Sequence, residues 1–137
     1  MFANPSEDDL RSLLKSVKTI AVVGLSPKED RPSYHVAAGL QKLGFRIVPV
    51  HPTADTILGE KVYASLRDIP FAIDVADVFR DPAHIAPIID DAIAIKAPHL
   101  WLQEGVVNEA EALRAQAAGM QVVMDRCIWR DAVALLV

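Results

Sequence analysis

Residues 19–35 read Thr-Ile-Ala-Val-Val-Gly-Leu-Ser-Pro-Lys-Glu-Asp-Arg-Pro-Ser-Tyr-His, and this stretch decides the fold. An apolar run ends at Gly24, a polar loop with two prolines follows, and apolar residues return at helical spacing after Ser33. A short apolar run of this kind is typical of a parallel strand that is buried on both faces. The stretch therefore predicts a strand, a glycine turn and a helix whose N-cap is Ser33.

The same turn has the features of an anion-binding site. Backbone amides at a helix N-terminus point outward, and the helix dipole favours negative charge there. Lys28 and Arg31 add positive charge to the loop. We expect a phosphate to be held by Gly24, Leu25, Ser26, Arg31 and Ser33, with the amides of Leu25 and Ser26 as donors. The alternative is an ordinary strand-to-helix turn with a solvated basic loop.

Four more apolar runs follow, and helical patterns alternate with them. The predicted strands cover residues 20–23, 46–51, 73–79, 99–102 and 121–124. Caps and glycines mark the helices, among them Ser6, Gly44, Asn108 and Gly119. This alternation predicts an α/β, Rossmann-like, doubly wound five-stranded parallel sheet in three layers, with residues 1–137 as a single domain. If the strand order is 3-2-1-4-5, the ligand crevice lies beside the first strand.

Composition narrows the possible partners. The 137 residues include 18 acidic and 14 basic side chains, for a net charge of −4, whereas a nucleic-acid-binding protein typically carries a basic excess. The chain has no apolar run of the roughly 18 residues that span a bilayer, and its N-terminus does not resemble a signal peptide. Cys127 is the only cysteine, so no intrachain disulfide can form. We expect a cytoplasmic protein with no nucleic-acid or membrane partner, and the sequence leaves a homo-oligomer open.

The sequence fits two common enzyme classes poorly. The glycine fingerprint of dinucleotide-binding proteins is absent, and the second strand ends at His51 rather than at an acidic residue. Neither Ser26 nor Ser33 lies in the Gly-x-Ser-x-Gly pattern of a hydrolase nucleophile. An enzyme that uses NAD(P) or another nucleotide stays an alternative.

No set of side chains predicts catalysis or a metal site. The histidines at positions 35, 51, 84 and 99 lack metal-ligand spacing. Asp74 and Asp77 are three apart on one strand and so point to opposite faces, which argues against an acid/base pair. We expect Asp77 to be a hydrogen-bonded carboxylate that is either buried or at an edge. Cys127 is either a reactive thiol, activated by Arg126, or a semi-buried cysteine before the last helix.

Several segments resemble the small, stand-alone CoA-binding domain proteins. The matching segments are residues 24–33, 48–52, 58–63, 77–80, 101–105 and 123–127, in that order along the chain. The resemblance covers residues 18–127 and includes the nucleotide-binding domain of the succinyl-CoA synthetase alpha subunit. It implies the same Rossmann-type fold and a CoA or acyl-CoA ligand. Ligase activity is not implied, because the synthetase uses a phosphorylated histidine and further domains.

The resemblance also implies where the parts of CoA lie. The pyrophosphate is expected near residues 24–26 and the helix of Ser33. The adenosine end is expected near Val50, His51 and Pro52, while the remaining wall is formed by Phe79, Arg80, Trp101, Leu102 and Gln103. Trp101 and Phe79 could equally be ordinary core. Many relatives carry Asn-Pro-Arg or Asn-Pro-Lys where this chain has residues 51–53, so a protonated His51, Lys61 or Arg80 is left to contact the 3′-phosphate.

We therefore expect a carrier or sensor of CoA or an acyl-CoA, without catalytic residues and without a metal. The second alternative, besides the nucleotide-dependent enzyme, is an interaction module with a vestigial crevice, which docks through the apolar segment 132–137.

Overall fold

The computed structural model describes residues 1–136. The helices are α1 (Glu7–Ser16), α2 (Pro32–Lys42), α3 (Ala86–Ala94), α4 (Glu109–Ala117) and α5 (Ile128–Leu136). The strands are β1 (Thr19–Val23), β2 (Arg46–Val50), β3 (Thr56–Ile57), β4 (Glu60–Lys61), β5 (Val75–Val78), β6 (His99–Leu102) and β7 (Gln121–Met124). Short 3₁₀ turns cover Leu66–Asp68 and Pro82–His84. The five predicted strands are confirmed, and the β3–β4 ribbon is an addition within the segment that we expected to be loop.

The main sheet is parallel, with the strand order β2-β1-β5-β6-β7. In the order of the five predicted strands this is 2-1-3-4-5, so the order 3-2-1-4-5 considered from the sequence is not the one that forms. The third predicted strand, β5, lies on the free side of β1 instead of beside β2. Both orders place the topological switch point next to β1, between β1 and β5 in this chain.

Pro49 explains why β2 is an edge strand. Its carbonyl accepts a hydrogen bond from Tyr63, outside the main sheet, so its missing N–H also faces that outer edge. A proline cannot complete a ladder with another long strand, and it is therefore confined to edges. Tyr63 covers this edge with a single bridge to Val50 and accepts a hydrogen bond from the His51 amide.

Helices cover both faces of the sheet, as the three-layer prediction requires. The apolar faces of α1, α2 and α5 form one buried cluster, and those of α3 and α4 form the other. β1 shows the alternation directly, because Ile20 and Val22 belong to the first cluster and Ala21 and Val23 to the second. Within the described residues, no helix combines the length and hydropathy required to cross a membrane.

Gly24 joins β1 to the loop at a place where a side chain has no room. Its φ is +84°, and a Cβ at this position would overlap the carbonyl oxygen of Phe79, the first residue after β5. The Phe79 amide in turn donates to the carbonyl of Val23 at 2.8 Å. The two neighbouring strands therefore approach each other through bare backbone at the switch point.

Replacing Gly24 with alanine tests this close approach. We expect Gly24→Ala to lower the free energy of unfolding by about 2–5 kcal/mol, the sum of left-handed strain and overpacking. Gly119→Ala is the matched control, since Gly119 has a φ of +98° and open space around the new Cβ. It should lose only the strain component, about 1–2 kcal/mol. Urea unfolding of both variants measures the difference, and equal losses would contradict the proposed role of the Phe79 contact.

Candidate functional site

A cleft of about 500 Å³ opens at the carboxyl edge of the sheet, beside the switch point. It is lined by Gly24, Ser26, Pro27, Lys28, Arg31, Pro32, Ser33, His51 and Phe79. Six of these residues are among those that we expected from the sequence to contact a ligand: Gly24, Ser26, Arg31, Ser33, His51 and Phe79. Pro27 and Pro32 were not identified in advance. Lys28 was predicted only to add positive charge to the loop, and that charge is the feature of the sequence that could have identified it as a lining residue.

Helix α2 starts two residues earlier than predicted. Pro32 occupies its first position, where a missing N–H costs nothing, and Arg31 is the N-cap without a side-chain capping bond. The prediction that Ser33 caps the helix was therefore wrong. Ser33 lies in the first turn and is only 6% exposed, and its hydroxyl oxygen accepts a hydrogen bond from the Ser26 amide at 3.0 Å.

Serine hydroxyls satisfy much of the backbone in this loop. The Ser26 amide was expected to bind phosphate but donates to Ser33, and the Lys28 amide donates to the hydroxyl oxygen of Ser26 at 3.1 Å. Each hydroxyl therefore accepts one amide bond and keeps its own proton as a donor. The Ser33 amide has no acceptor within residues 1–136. The cleft thus offers two hydroxyl donors and one amide donor.

The charge lining the cleft is entirely positive. Lys28 and Arg31 line it, and neither forms an ion pair within the described part of the chain. Glu29 and Asp30 lie in the same loop but are exposed and do not line the cleft. Two unpaired cations beside a helix N-terminus form an arrangement that attracts anions.

His51 forms the β2 side of the cleft, and its ring is held by the backbone that follows it. Its Nδ1 atom accepts hydrogen bonds from the amides of Thr53, at 3.2 Å, and Ala54, at 3.0 Å. The His51 amide donates to the carbonyl of Tyr63 at 3.0 Å. His51 is half-buried, and hydrogen bonds to both its ring and its backbone amide hold it in place.

The other residues that were expected to bind the ligand lie outside the cleft lining. Leu25, Val50, Trp101, Leu102 and Gln103 are buried, whereas Pro52 and Arg80 are exposed. Trp101 is 0% exposed and donates from Nε1 to the carbonyl of Arg126. The Gln103 side-chain oxygen accepts a hydrogen bond from the amide of Ile128, the first residue of α5. Trp101 and Gln103 thus anchor the segment that leads into α5.

Asp77 lies in the core rather than in the cleft. It is 0% exposed, and neither carboxylate oxygen has a hydrogen-bond partner within residues 1–136, so the expected hydrogen-bonded carboxylate was wrong. In the sheet it stands between Val22 and Trp101. Burial raises the pKa of Asp77 well above its ordinary value. Asp74, by contrast, accepts bonds from the amides of Lys18 and Thr19 at the opposite edge of the sheet.

Cys127 and the histidines form no second site. The Arg126 guanidinium binds both carboxylate oxygens of Asp131, at 2.7 and 2.9 Å, and the Cys127 thiol is buried. The Arg126 guanidinium is therefore paired with Asp131 and not with the sulfur of Cys127. Burial lowers the pKa of His99, at the amino end of β6. No group of three or more His, Cys, Asp or Glu side chains suited to a metal occurs among the described residues.

The apolar segment considered for docking is only partly exposed. Ala132 is buried and Val133 is exposed, and together with Trp129 the latter borders a groove of about 350 Å³ along α5. Val137, the last residue of that segment, lies outside the described residues.

A parallel sheet covered by helices on both faces, with a cleft at its switch point, defines the class of Rossmann-like α/β domains. Residues 18–132 match the CoA binding domain family, and the chain belongs to that family. This agrees with the resemblance found in the sequence.

Two similar proteins consist of little more than this domain. The uncharacterized protein YneT of Bacillus subtilis is 39% identical over 125 residues, which cover 91% of this chain and 93% of YneT. A hypothetical protein from Pyrococcus horikoshii superimposes with a TM-score of 0.94 at 33% identity, covering 100% of this chain and 99% of that one. Both therefore share the fold along nearly their whole length.

A third relative is much longer. The ADP-forming acetate–CoA ligase II of Archaeoglobus fulgidus is 41% identical over 81 residues, which cover 58% of this chain and only 12% of the ligase. The domain thus also occurs as one part of a large protein.

Replacing Asp77 with asparagine tests its buried, neutral state. Because the folded pKa is raised, the wild type loses stability as the pH rises from about 4, the pKa of an unfolded aspartate, toward the folded value. Asp77→Asn has a similar shape and no charge, so its stability relative to the wild type should increase steadily as the pH rises over that range.

Urea unfolding between pH 4 and pH 8 measures this difference. Asp30→Asn, at an exposed loop position, is the control and should show a nearly constant difference from the wild type. A constant difference for Asp77→Asn as well would show that the Asp77 carboxyl is solvated or paired.

Proposed function

We propose that this chain binds CoA or an acyl-CoA through the diphosphate of the ligand, at the cleft between the β1 turn and helix α2. The observation that carries the proposal is the pair of unpaired cations, Lys28 and Arg31, beside the free Ser33 amide in a member of the CoA binding domain family.

The donors of the cleft match the chemistry of a diphosphate. Phosphoryl oxygens accept hydrogen bonds and carry negative charge, and a helix N-terminus supplies both amides and a favourable dipole. The Ser33 amide, the Ser26 and Ser33 hydroxyls and the two cations provide five candidate partners. In the proposed pose the diphosphate lies over the first turn of α2. The adenosine extends toward His51, and the pantetheine arm extends toward Phe79.

The proposed role is binding, by a carrier or sensor in the cytoplasm, rather than catalysis. No carboxylate or thiol lines the cleft among the described residues, and His51 contributes the one imidazole of that lining. The nucleotide-dependent enzyme remains the competing proposal. The ligase relative includes this domain as a small fraction of its length, so its reaction is not part of the proposal.

Titration calorimetry with CoA, acetyl-CoA, NAD and NADP tests the proposal. We expect saturable, one-to-one binding of CoA or acetyl-CoA, and binding of NAD and NADP at least tenfold weaker. Tight binding of NAD without binding of CoA would support the nucleotide-dependent enzyme instead. Mass spectrometry of small molecules released from freshly purified protein gives an independent check.

Reversing the charge of Arg31 should weaken CoA binding about 10- to 100-fold, because a charge-assisted contact worth about 1.5–3 kcal/mol is replaced by repulsion. An acidic residue at a helix N-terminus is favourable to the helix, so Arg31→Glu should stay folded. Calorimetric titration measures the change in affinity.

Lys42→Glu is the matched control for Arg31→Glu. Lys42 is exposed at the C-terminal end of the same helix, and its reversal changes the net charge by the same amount. It should change the affinity less than threefold. Equal effects of the two substitutions would indicate a response to net charge rather than to the cleft.

A further inference from the structure

The imidazole of His51 is held in one protonation form by its own turn. A backbone amide can only donate, so the two amides that point at Nδ1, from Thr53 and Ala54, require a lone pair on that atom. The ring proton must then sit on Nε2. The protonated ring carries hydrogens on both nitrogens, and it would have to give up both of these bonds.

This arrangement is the histidine counterpart of a turn that Asn and Asp side chains form. In such turns a side-chain oxygen accepts from the amide two residues later. Here Nδ1 takes the place of that oxygen. The imidazole is larger than an asparagine side chain, and its second nitrogen, Nε2, has no partner within residues 1–136. His51 therefore keeps the turn and adds a donor to a residue that lines the cleft.

We propose that His51 is a fixed, uncharged hydrogen-bond donor that reads the ribose end of the ligand through Nε2–H. This inference rests on the proposed function, since it assumes that a CoA-type nucleotide occupies the cleft. It deepens that function by stating how the β2 side of the cleft recognises its ligand.

The positions of the charged residues in the cleft indicate which ligands it can bind. Both cations that line the cleft, Lys28 and Arg31, belong to the loop that leads into α2. On the β2 side, Thr53 is uncharged and His51 is neutral. A neutral donor accepts either a hydroxyl oxygen or a phosphoryl oxygen as partner. The site therefore takes a CoA-type ligand whether or not its ribose carries the 3′-phosphate.

The protonation form can be tested without any ligand. Long-range ¹H–¹⁵N correlation spectra distinguish the Nε2–H form, the Nδ1–H form and the charged ring, and the His51→Asn spectrum identifies the His51 signals by their loss. We expect His51 in the Nε2–H form at pH 7. A charged ring, or a proton on Nδ1, would overturn the inference whatever the protein binds.

The binding test compares CoA, 3′-dephospho-CoA and inorganic diphosphate by calorimetry. We expect the wild type to bind CoA and 3′-dephospho-CoA within about threefold of each other. His51→Asn keeps a side-chain acceptor for the turn, and its shorter Nδ2 amide does not reach as far toward the ligand as Nε2–H. It should melt within about 2 °C of the wild type, bind both nucleotides about 5- to 20-fold more weakly, and bind inorganic diphosphate as the wild type does.

Two further variants separate the turn from the donor. His51→Ala loses both, so it should bind as weakly as His51→Asn and also melt at least about 3 °C lower than the wild type. Thr53→Lys leaves the backbone amide in place and adds a charge. It should favour CoA over 3′-dephospho-CoA by about tenfold and leave the His51 spectrum unchanged.

The outcomes distinguish this inference from the proposed function. If the wild type binds neither nucleotide, the proposed function fails and the ligand contact of His51 fails with it. If CoA binds but His51→Asn binds it equally well, or if the wild type prefers CoA to 3′-dephospho-CoA by more than tenfold, only the inference is overturned. Failure of Thr53→Lys to discriminate would overturn the placement of the ribose end.

Discussion

The cleft depends on the close backbone contact between Gly24 and Phe79. At this point the chain leaves β1 for one face of the sheet, while its neighbour β5 leads to a helix on the other face. The space between the two departing chains is the crevice of every open parallel sheet at its switch point. A side chain at Gly24 would meet the Phe79 carbonyl. The absence of a Cβ therefore allows the turn to lie directly beside the end of β5.

The polar groups of the turn determine what the crevice can bind. The hydroxyls of Ser26 and Ser33 pair two backbone amides from within the loop. Because a hydroxyl that accepts can still donate, this internal pairing moves the donor from the backbone to the side chain rather than removing it. The resulting donors stand beside Lys28 and Arg31, which lack carboxylate partners in the described chain. An anion is the complementary ligand.

In the core, by contrast, one polar side chain is buried without a hydrogen-bond partner among the described residues. Asp77 on β5 lies beside Val22 on β1, and it is fully buried without a hydrogen-bond partner within residues 1–136. Burial raises the pKa of Asp77, so the neutral acid is favoured. Trp101, in β6, donates a hydrogen bond to the carbonyl of Arg126. Gln103, the first residue after β6, accepts one from the amide of Ile128. Polar atoms near the site thus serve two purposes: some hold the segment leading into α5, and others remain available to a ligand.

Sequence alone determined the class of fold, the five parallel strands and the loop that carries the cations, because these follow from local apolar periodicity, glycine and charge. It also identified six residues of the cleft, since strands of a parallel sheet bring their carboxyl ends to one edge. The strand order required the tertiary structure: Pro49 carried a local signal for an edge strand, but only the position of Tyr63 shows which edge is covered. The placement of Trp101, Gln103 and Asp77 and the occupied Ser26 amide likewise depend on partners brought together by folding. The sequence does not show which hydrogen-bond donor pairs with which acceptor.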